Sequence, residues 1–215
     1  MNMSAPRIDG PPTQTGLLVF GGAFDPPHRT HRKILVAALS ALPADRAVVL
    51  PAGRHPLKGD RITAPDAARL ELCELAFGDL PGVTVRDLEM QREGVAYTVE
   101  TLRELASEFP GRRLFLLIGS DNLRILDHWH DHHALLELAT VVTVLRSGQP
   151  IDRASLEAQD LTATEIDDLL SWTIDAGADD VSATAIRAAV HAGENPAELD
   201  ERVADRIRAL GLYTS

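Results

Sequence analysis

Apolar residues along the chain fall into short runs of five to seven residues separated by longer amphipathic segments. The runs are rich in β-branched and other aliphatic side chains, as is typical of strands covered on both faces. The predicted strands are 17–21, 47–51, 83–88, 113–119, 140–145 and 172–176. Apolar positions at helical spacing lie between them, at 29–41, 65–77, 97–108 and, with a break, 121–138. This alternation predicts an α/β fold: a doubly wound, Rossmann-like parallel sheet with helices on both faces.

The two ends of the chain depart from this alternation. Residues 1–15, rich in Pro, Gly and Thr, predict a flexible arm, and 16–215 predict a single domain. Residues 147–170 predict an acidic connection with one helix. A small C-terminal helical part, about 181–215, should hold helices at 184–192 and about 198–210.

The second helix has a recognisable start signal in the stretch "TAPDAARL". Thr63 is placed to cap the helix, Pro65 suits its first turn, and Asp66 completes a capping-box spacing. The sequence therefore predicts a side-chain cap by Thr63.

Composition narrows the classes of function. The formal net charge of −11 argues against a nucleic-acid surface, which needs concentrated positive charge. No apolar run approaches the roughly 18 residues of a membrane span, and the N-terminus lacks the apolar core of a signal peptide. The single cysteine, Cys73, has apolar helical neighbours, so we predict a buried thiol in a cytoplasmic protein. The sequence leaves a homo-oligomer open.

Charge is unevenly distributed along this acidic chain. Between Pro26 and Gly59 there are six basic residues and one acid. The basic residues are Arg29, Arg32, Lys33, Arg46, Arg54 and Lys58. Such a patch suggests a small anionic ligand such as a nucleotide, and a solvated face with a chance cluster is the alternative.

The stretch "LLVFGGAFDPPHRTH" brings candidate chemistry to the end of the first strand. Ligands of open parallel sheets bind beyond the carboxyl ends of the strands, and Gly21 and Gly22 would let a ligand approach the backbone there. His28 and His31, at i and i+3, share one face at the start of the next helix. The two imidazoles and the free N–H groups of that helix could hold phosphate oxygens and stabilise charge during phosphoryl or nucleotidyl transfer. Alternatively, one histidine only caps the helix and the other is exposed.

At this point the chain resembles a known family. "GGAFDPPHRTH" resembles the signature loop of the nucleotidylyltransferase superfamily, G-G-x-F-D-P-x-H-x-G-H. Four further segments, in order, resemble bacterial nicotinate-nucleotide adenylyltransferases. They are "LEMQREGVAYTVETLREL" (88–105), "LFLLIGSDNLRILDHWHD" (114–131), "VSATAIRAAV" (181–190) and "VADRIRALGLY" (203–213).

Three departures from the family pattern stand out. Thr30 replaces a Gly, so its Cβ is expected to crowd a base or ribose near the helix start. Ala183 replaces a Ser and removes one hydroxyl donor to phosphate. The basic loop "GRHPLKG" rearranges the usual order, although Lys58 is present to contact the substrate.

The resemblance implies an ATP site and a catalytic group. His28, His31 and Arg187 would be catalytic, acting on the ATP phosphates. Ser182 and Thr184 would open the last-but-one helix and hold the β- and γ-phosphates, with the Arg187 guanidinium one turn further on. The ATP-binding residues implied are Gly21, Gly22, Phe24, His28, His31, Ser182, Thr184 and Arg187.

The resemblance also implies a second site for nicotinate mononucleotide. Trp129 would stack on the ring, and the backbone N–H groups of Thr98 and His130 would hold its carboxylate. Asp121 would bind a ribose hydroxyl or orient Mg²⁺, or else cap a helix starting at Asn122. Mg²⁺ would be held mainly by the ATP phosphates, with no metal ligand assigned to the protein. The substrate-binding residues implied are Asp25, Lys58, Tyr97, Thr98, Asp121, Trp129 and His130. For Asp25, stabilising the loop is the alternative.

The segment "DHWHDHH" (127–133) is rich in His and Asp, as metal sites are, but it lacks a partnering Cys. A structural zinc site is therefore not favoured there.

The expected function is adenylyl transfer from ATP to nicotinate mononucleotide. The alternatives are a phosphopantetheine-type adenylyltransferase of the same superfamily and a non-catalytic nucleotide-binding relative.

Overall fold

The computed structural model describes residues 15–53, 62–146, 151–178 and 181–214. Its six strands form one parallel sheet in the order β3-β2-β1-β4-β5-β6. The strands are β1 Gly16–Gly22, β2 Ala44–Pro51, β3 Val83–Val85, β4 Leu114–Gly119, β5 Ala139–Arg146 and β6 Thr173–Ala178. The predicted doubly wound, Rossmann-like α/β fold is confirmed.

Helices connect successive strands and cover both faces of the sheet. They are α1 Arg29–Ala41, α2 Asp66–Phe77, α3 Thr98–Glu108, α4 Ser120–Leu123, α5 His132–Leu138, α6 Arg153–Glu157, α7 Ala163–Ser171, α8 Ala183–His191 and α9 Glu201–Leu210. A short 3-10 turn, Leu126–His128, joins α4 to α5. The predicted break within 121–138 is therefore present, and α6 is a helix that the sequence pattern did not predict.

The core consists of two apolar layers, one on each side of the sheet. Successive side chains of a strand point to opposite faces, so Leu18 and Phe20 face one layer and Leu17 and Val19 the other. Helices α1, α2, α8 and α9 contribute to the first layer, and α3, α5, α6 and α7 to the second. Cys73 is buried in the first layer, as predicted, and burial raises the pKa of its thiol.

Two local predictions were wrong. β3 ends at Val85 because the chain turns at Asp87, whose carbonyl accepts from the N–H groups of Met90 and Gln91. Thr63 does not cap α2; its hydroxyl and N–H both donate to the carboxylate of Asp25 instead. Asp66 pairs with Arg69 at 2.6 Å.

The sequence predictions that remain concern the domain limits and the N-terminus. That 16–215 form one domain stays a prediction, and the predicted arm lies outside the described residues except for Thr15. Among the helices of the described residues, none combines the length and apolarity required to cross a membrane.

Candidate active site

A cavity of about 480 Å³ opens at the carboxyl ends of the central strands. It lies where the strand order reverses, between β1 and β4, which is the usual ligand position in open α/β sheets. Twelve of the predicted site residues line it: Gly21, Gly22, Phe24, Asp25, His28, His31, Thr98, Asp121, Trp129, Ser182, Thr184 and Arg187.

Gly21 and Gly22 are the last two residues of β1 rather than the start of the following loop. A Cβ on Gly21 would meet no described atom within 4 Å, so this side of the strand end is open to the cavity. A Cβ on Gly22 would lie 2.9 Å from the ring of Phe24. A side chain at position 22 would therefore have to displace the Phe24 ring.

His28 and His31 form a stacked pair at the start of α1. Their ring centroids are 3.6 Å apart, and the His28 N–H donates to His31 Nδ1 at 3.3 Å. Because Nδ1 accepts, the neutral His31 ring carries its proton on Nε2. The Phe24 ring meets His31 edge-on at 5.1 Å and supports it from the core.

Two helix N-termini border the cavity. His28 immediately precedes α1, Ser182 immediately precedes α8, and neither helix has an acidic residue in its first turn. Helix N-termini attract anions through unpaired N–H groups and the helix dipole. The pair of N-termini therefore gives one side of the cavity a preference for phosphate.

The side chains at the start of α8 are oriented by one another. Ser182 Oγ accepts from the Ala185 N–H at 3.4 Å, and Thr184 Oγ1 accepts from Arg187 at 3.3 Å. Both hydroxyls then keep their own protons for donation. The other arm of the Arg187 guanidinium donates to the Asp25 carbonyl at 2.8 Å, which links α8 to the loop after β1.

Asp25 is a structural anchor of that loop. Its side chain is buried, and its carboxylate accepts from the Thr63 N–H and hydroxyl, the Ala64 N–H and the Tyr213 hydroxyl, at 2.7 to 3.1 Å. The pKa of Tyr213 is raised by burial and by this hydrogen bond, so the phenol remains a donor. This geometry favours a loop-stabilising role for Asp25 over direct contact with substrate.

The other end of the cavity is lined by Thr98, Trp129 and Asp121. Thr98 is the first residue of α3, and Trp129 is half-buried. Asp121 lies in the first turn of α4, which begins at Ser120, so the predicted cap of a helix starting at Asn122 was wrong. Tyr97 and His130 are not among the residues that line the cavity, and their rings stack with centroids 4.1 Å apart.

The four basic residues of this segment that the structure describes, Arg29, Arg32, Lys33 and Arg46, do not line the cavity. Arg32 pairs with Asp79, and Lys33 donates to the Gly177 carbonyl. Lys58 and Arg54 lie outside the described residues, so the predicted substrate contact of Lys58 stays a prediction.

Several wall and support residues were missed by the sequence analysis. Glu89 and Thr101 line the cavity, are both buried, and are joined by a hydrogen bond of 3.1 Å. Arg69, 1% exposed, donates to the Ala23 and Ala52 carbonyls and braces the ends of β1 and β2. An arginine within an amphipathic helix gives no sequence signal that it is buried. Thr30 and Ala183, the two departures from the family pattern, also lie on the cavity wall.

Comparisons with known proteins agree with this geometry. The cytidylyltransferase-like family profile matches residues 19–189. A Gemmatimonas aurantiaca protein named a probable nicotinate-nucleotide adenylyltransferase is 32% identical over 196 residues, covering 91% of this chain and 90% of the relative. An Albidiferax ferrireducens protein of the same name is 42% identical over 129 residues, 60% of this chain and only 65% of the relative.

A solved structure shows the same fold. The Plasmodium falciparum nicotinic acid mononucleotide adenylyltransferase complexed with NaAD superposes with a TM-score of 0.70 at 15% identity. The match covers 93% of this chain and 98% of that one. The expected resemblance to this group of enzymes is confirmed by the named relatives. The profile match runs from β1 into α8 and includes both helix N-termini of the cavity. Because this match covers most of the chain, the chain belongs to the cytidylyltransferase-like family.

Proposed function

We propose that this protein transfers the adenylyl group of ATP to nicotinate mononucleotide, giving deamido-NAD and pyrophosphate, a step of NAD biosynthesis. The observation that carries the proposal is the division of one cavity into two chemically different ends. One end has two helix N-termini, two histidines and an arginine; the other has a tryptophan and the start of α3. The names of the relatives support the same substrates.

In the proposed step, a phosphate oxygen of nicotinate mononucleotide attacks the α-phosphorus of ATP in line. The bond from that phosphorus to the bridging oxygen of the β-phosphate breaks, and pyrophosphate leaves with the electron pair. No proton transfer to a protein base is needed, because the attacking oxygen is already anionic. The residues therefore act by positioning and by electrostatic stabilisation.

The phosphate end would hold the triphosphate. His31 Nε2–H and the His28 imidazole would donate to phosphate oxygens beside the N-terminus of α1. The hydroxyls of Ser182 and Thr184 would donate to the β- and γ-phosphates. Arg187, held by the Asp25 carbonyl, would add a fixed positive charge for the leaving pyrophosphate.

Mg²⁺ fits this site as an ion held mainly by the nucleotide. The Asp25 carboxylate is occupied by four donors and is a poor metal ligand. Asp121 and Glu89 are other carboxylates on the wall, and Asp121 is the exposed one. When bound with ATP, Mg²⁺ would neutralise charge on the phosphates.

The other end would hold the mononucleotide. Trp129 would stack on the pyridine ring, and the N–H groups of Thr98 and His130 would bind its carboxylate. The stacked Tyr97 and His130 rings hold these two segments together. No nucleic acid or membrane partner enters the proposal, and the cytoplasmic location stays a prediction.

Pyrophosphate release from ATP and Mg²⁺ tests the proposal when nicotinate mononucleotide and 4′-phosphopantetheine are compared as acceptors. We expect release with the mononucleotide only. Release with phosphopantetheine instead would favour the other adenylyltransferase. The position of Thr30 on the wall is the observation that favours a non-catalytic relative. ATP binding without release from either acceptor would establish that alternative.

A further inference from the structure

The proposed reaction does not use His132 and His133, at the start of α5. In the folded chain they meet Asp160, which lies in the connection between α6 and α7. One ligand atom from each of the three residues lies within 4.8 Å of the others. The sequence analysis did not favour a metal here, because the segment 127–133 lacks a partnering Cys. The carboxylate of the cluster comes from a distant segment.

The His133 imidazole is oriented by a second carboxylate. Its Nδ1 lies 2.7 Å from Glu165 Oε1, and Glu165 is itself fixed by the Thr162 N–H and hydroxyl at 2.7 and 2.8 Å. Because a carboxylate only accepts, Nδ1 carries the proton and the neutral ring presents its lone pair on Nε2. Metal-binding histidines in proteins are oriented in this way, by a carboxylate that accepts from the ring nitrogen that does not bind the metal.

The exposed nitrogen of His133 faces a ligand oxygen at a suitable distance. Nε2 lies 3.8 Å from Asp160 Oδ2. Two ligands of a tetrahedral ion, each at about 2.0–2.2 Å, lie roughly 3.3–3.6 Å apart. The Asp160 side chain is 85% exposed, so a small rotation closes the difference.

His132 completes a three-residue set. Its ring is tilted against that of His133, with centroids 4.1 Å apart. Its Nε2–H donates a hydrogen bond to the Asp160 carbonyl at 2.7 Å. That bond ties the imidazole to the same residue that supplies the carboxylate. His132 is buried while Asp160 is exposed, so the cluster opens to solvent on one side.

We propose that His132, His133 and Asp160 form a binding site for one divalent transition-metal ion, with Zn²⁺ the preferred occupant. Two imidazoles and one carboxylate match Zn²⁺, whereas Mg²⁺ prefers an all-oxygen set. Water fills the fourth position from the open side. The ion joins the start of α5, three residues after Trp129, to the α6–α7 connection.

The test uses the untagged full-length chain, freed of metal with a chelator, and Zn²⁺ alone as titrant in calorimetry. Co²⁺ replaces Zn²⁺ in a second titration, followed by visible absorption. We expect one ion per chain. Asp160→Asn and His133→Gln should each weaken binding by at least about tenfold, and Glu165→Gln by about 10- to 100-fold. Zn²⁺ should also raise the melting temperature of the wild type more than that of Asp160→Asn.

His128→Gln is the matched control, because His128 lies in the same segment, is 68% exposed and is outside the cluster. It should bind Zn²⁺ as the wild type does. Asp160 is exposed, so its variant keeps the test valid if His133→Gln fails to fold. Absence of binding at micromolar Zn²⁺, or equal affinity of wild type and Asp160→Asn, overturns the proposal. None of these three readouts depends on adenylyl transfer, so failure here leaves the proposed function standing.

Discussion

At the scale of single residues, His28 and His31 are the strongest candidates for stabilising transition-state charge. Replacing either by Ala removes one preorganised donor, and we expect kcat to fall by about 10²–10³. His28→Ala also replaces the N-cap residue of α1, so the free energy of unfolding should fall as well. Steady-state pyrophosphate release and thermal unfolding measure the two effects separately. Near-normal turnover in both variants would remove the histidines from the mechanism.

Thr30 tests whether a departure from the family pattern affects ATP binding. It is the second residue of α1 and lies on the cavity wall, so its side chain occupies space beside the phosphate end. Thr30→Gly should preserve activity or lower the KM for ATP, at a cost of some tenths of a kcal/mol in unfolding free energy. Arg29→Gly, an exposed change in the same turn, controls for the helix effect. A large rise in KM for ATP would mean that Thr30 contacts the nucleotide.

Residue roles differ in how far the sequence could predict them. His28 and His31 follow from their place at a helix start after the first strand, Ser182 follows from the family resemblance, and the structure brings all three to the cavity. For Asp25 the sequence left loop stabilisation and substrate contact open, and it could not identify the partners Thr63 and Tyr213, which are distant in sequence. Buried polar contacts between distant segments leave no periodic pattern along the chain.

At the scale of elements, the positions of strands and most helices follow from apolar periodicity. Errors arise where a tertiary contact replaces a local one. Thr63 has the spacing of a helix cap, yet α2 begins only at Asp66 with Pro65 at its N-cap, and the Thr63 hydroxyl donates to the buried Asp25 carboxylate. The five-residue helix α6 is too short to show a helical pattern, and a single buried side chain, Leu156, packs it against the core.

The segment after α9 is an element whose attachment can be measured. Tyr213 donates to the buried carboxylate of Asp25 at 2.7 Å, which fastens the C-terminus to the loop after β1. Tyr213→Phe leaves a buried acceptor with one donor fewer, and we expect the free energy of unfolding to fall by about 1–2 kcal/mol. Because the same loop carries His28, kcat should also decrease. Denaturant unfolding and turnover of the variant measure both.

Ser40→Ala is the control for Tyr213→Phe, because it removes an exposed hydroxyl that bonds only its own helix. It should change neither stability nor kcat. If Tyr213→Phe matched this control in both measurements, the C-terminal attachment would have no energetic role.

At the scale of the whole molecule, the site exists only because the sheet brings separate segments together. The cavity wall draws on the end of β1, the start of α3, the segment after β4 and the start of α8. The parallel sheet predicted from sequence implies that the carboxyl ends of its strands meet at one edge. It does not determine which side chains face the cavity, and the predicted Tyr97 and His130 are not among the residues that line it.

This assembly leads to a prediction of substrate preference. Nicotinate and nicotinamide mononucleotides differ by a carboxylate against an amide, and an amide NH₂ facing the N–H groups of Thr98 and His130 would be unpaired. Such a mismatch can lower kcat/KM for the amide by a factor of about 10⁴. Partial hydration of the site makes this factor smaller, but it should stay above about 10². We therefore expect kcat/KM for nicotinate mononucleotide to exceed that for the amide by at least that factor, at fixed ATP and Mg²⁺.

Trp129 separates ring binding from carboxylate recognition in the same assay. Stacking treats both rings alike, so Trp129→Ala should lower kcat/KM for both mononucleotides and leave their ratio nearly unchanged. The other tryptophan, Trp172, packs against Phe115 away from the cavity, and Trp172→Phe should alter neither value. Equal kcat/KM values for the two mononucleotides in the wild type would contradict the assignment of the N–H groups. A ratio that collapses in Trp129→Ala would instead mean that the indole itself distinguishes the acid from the amide.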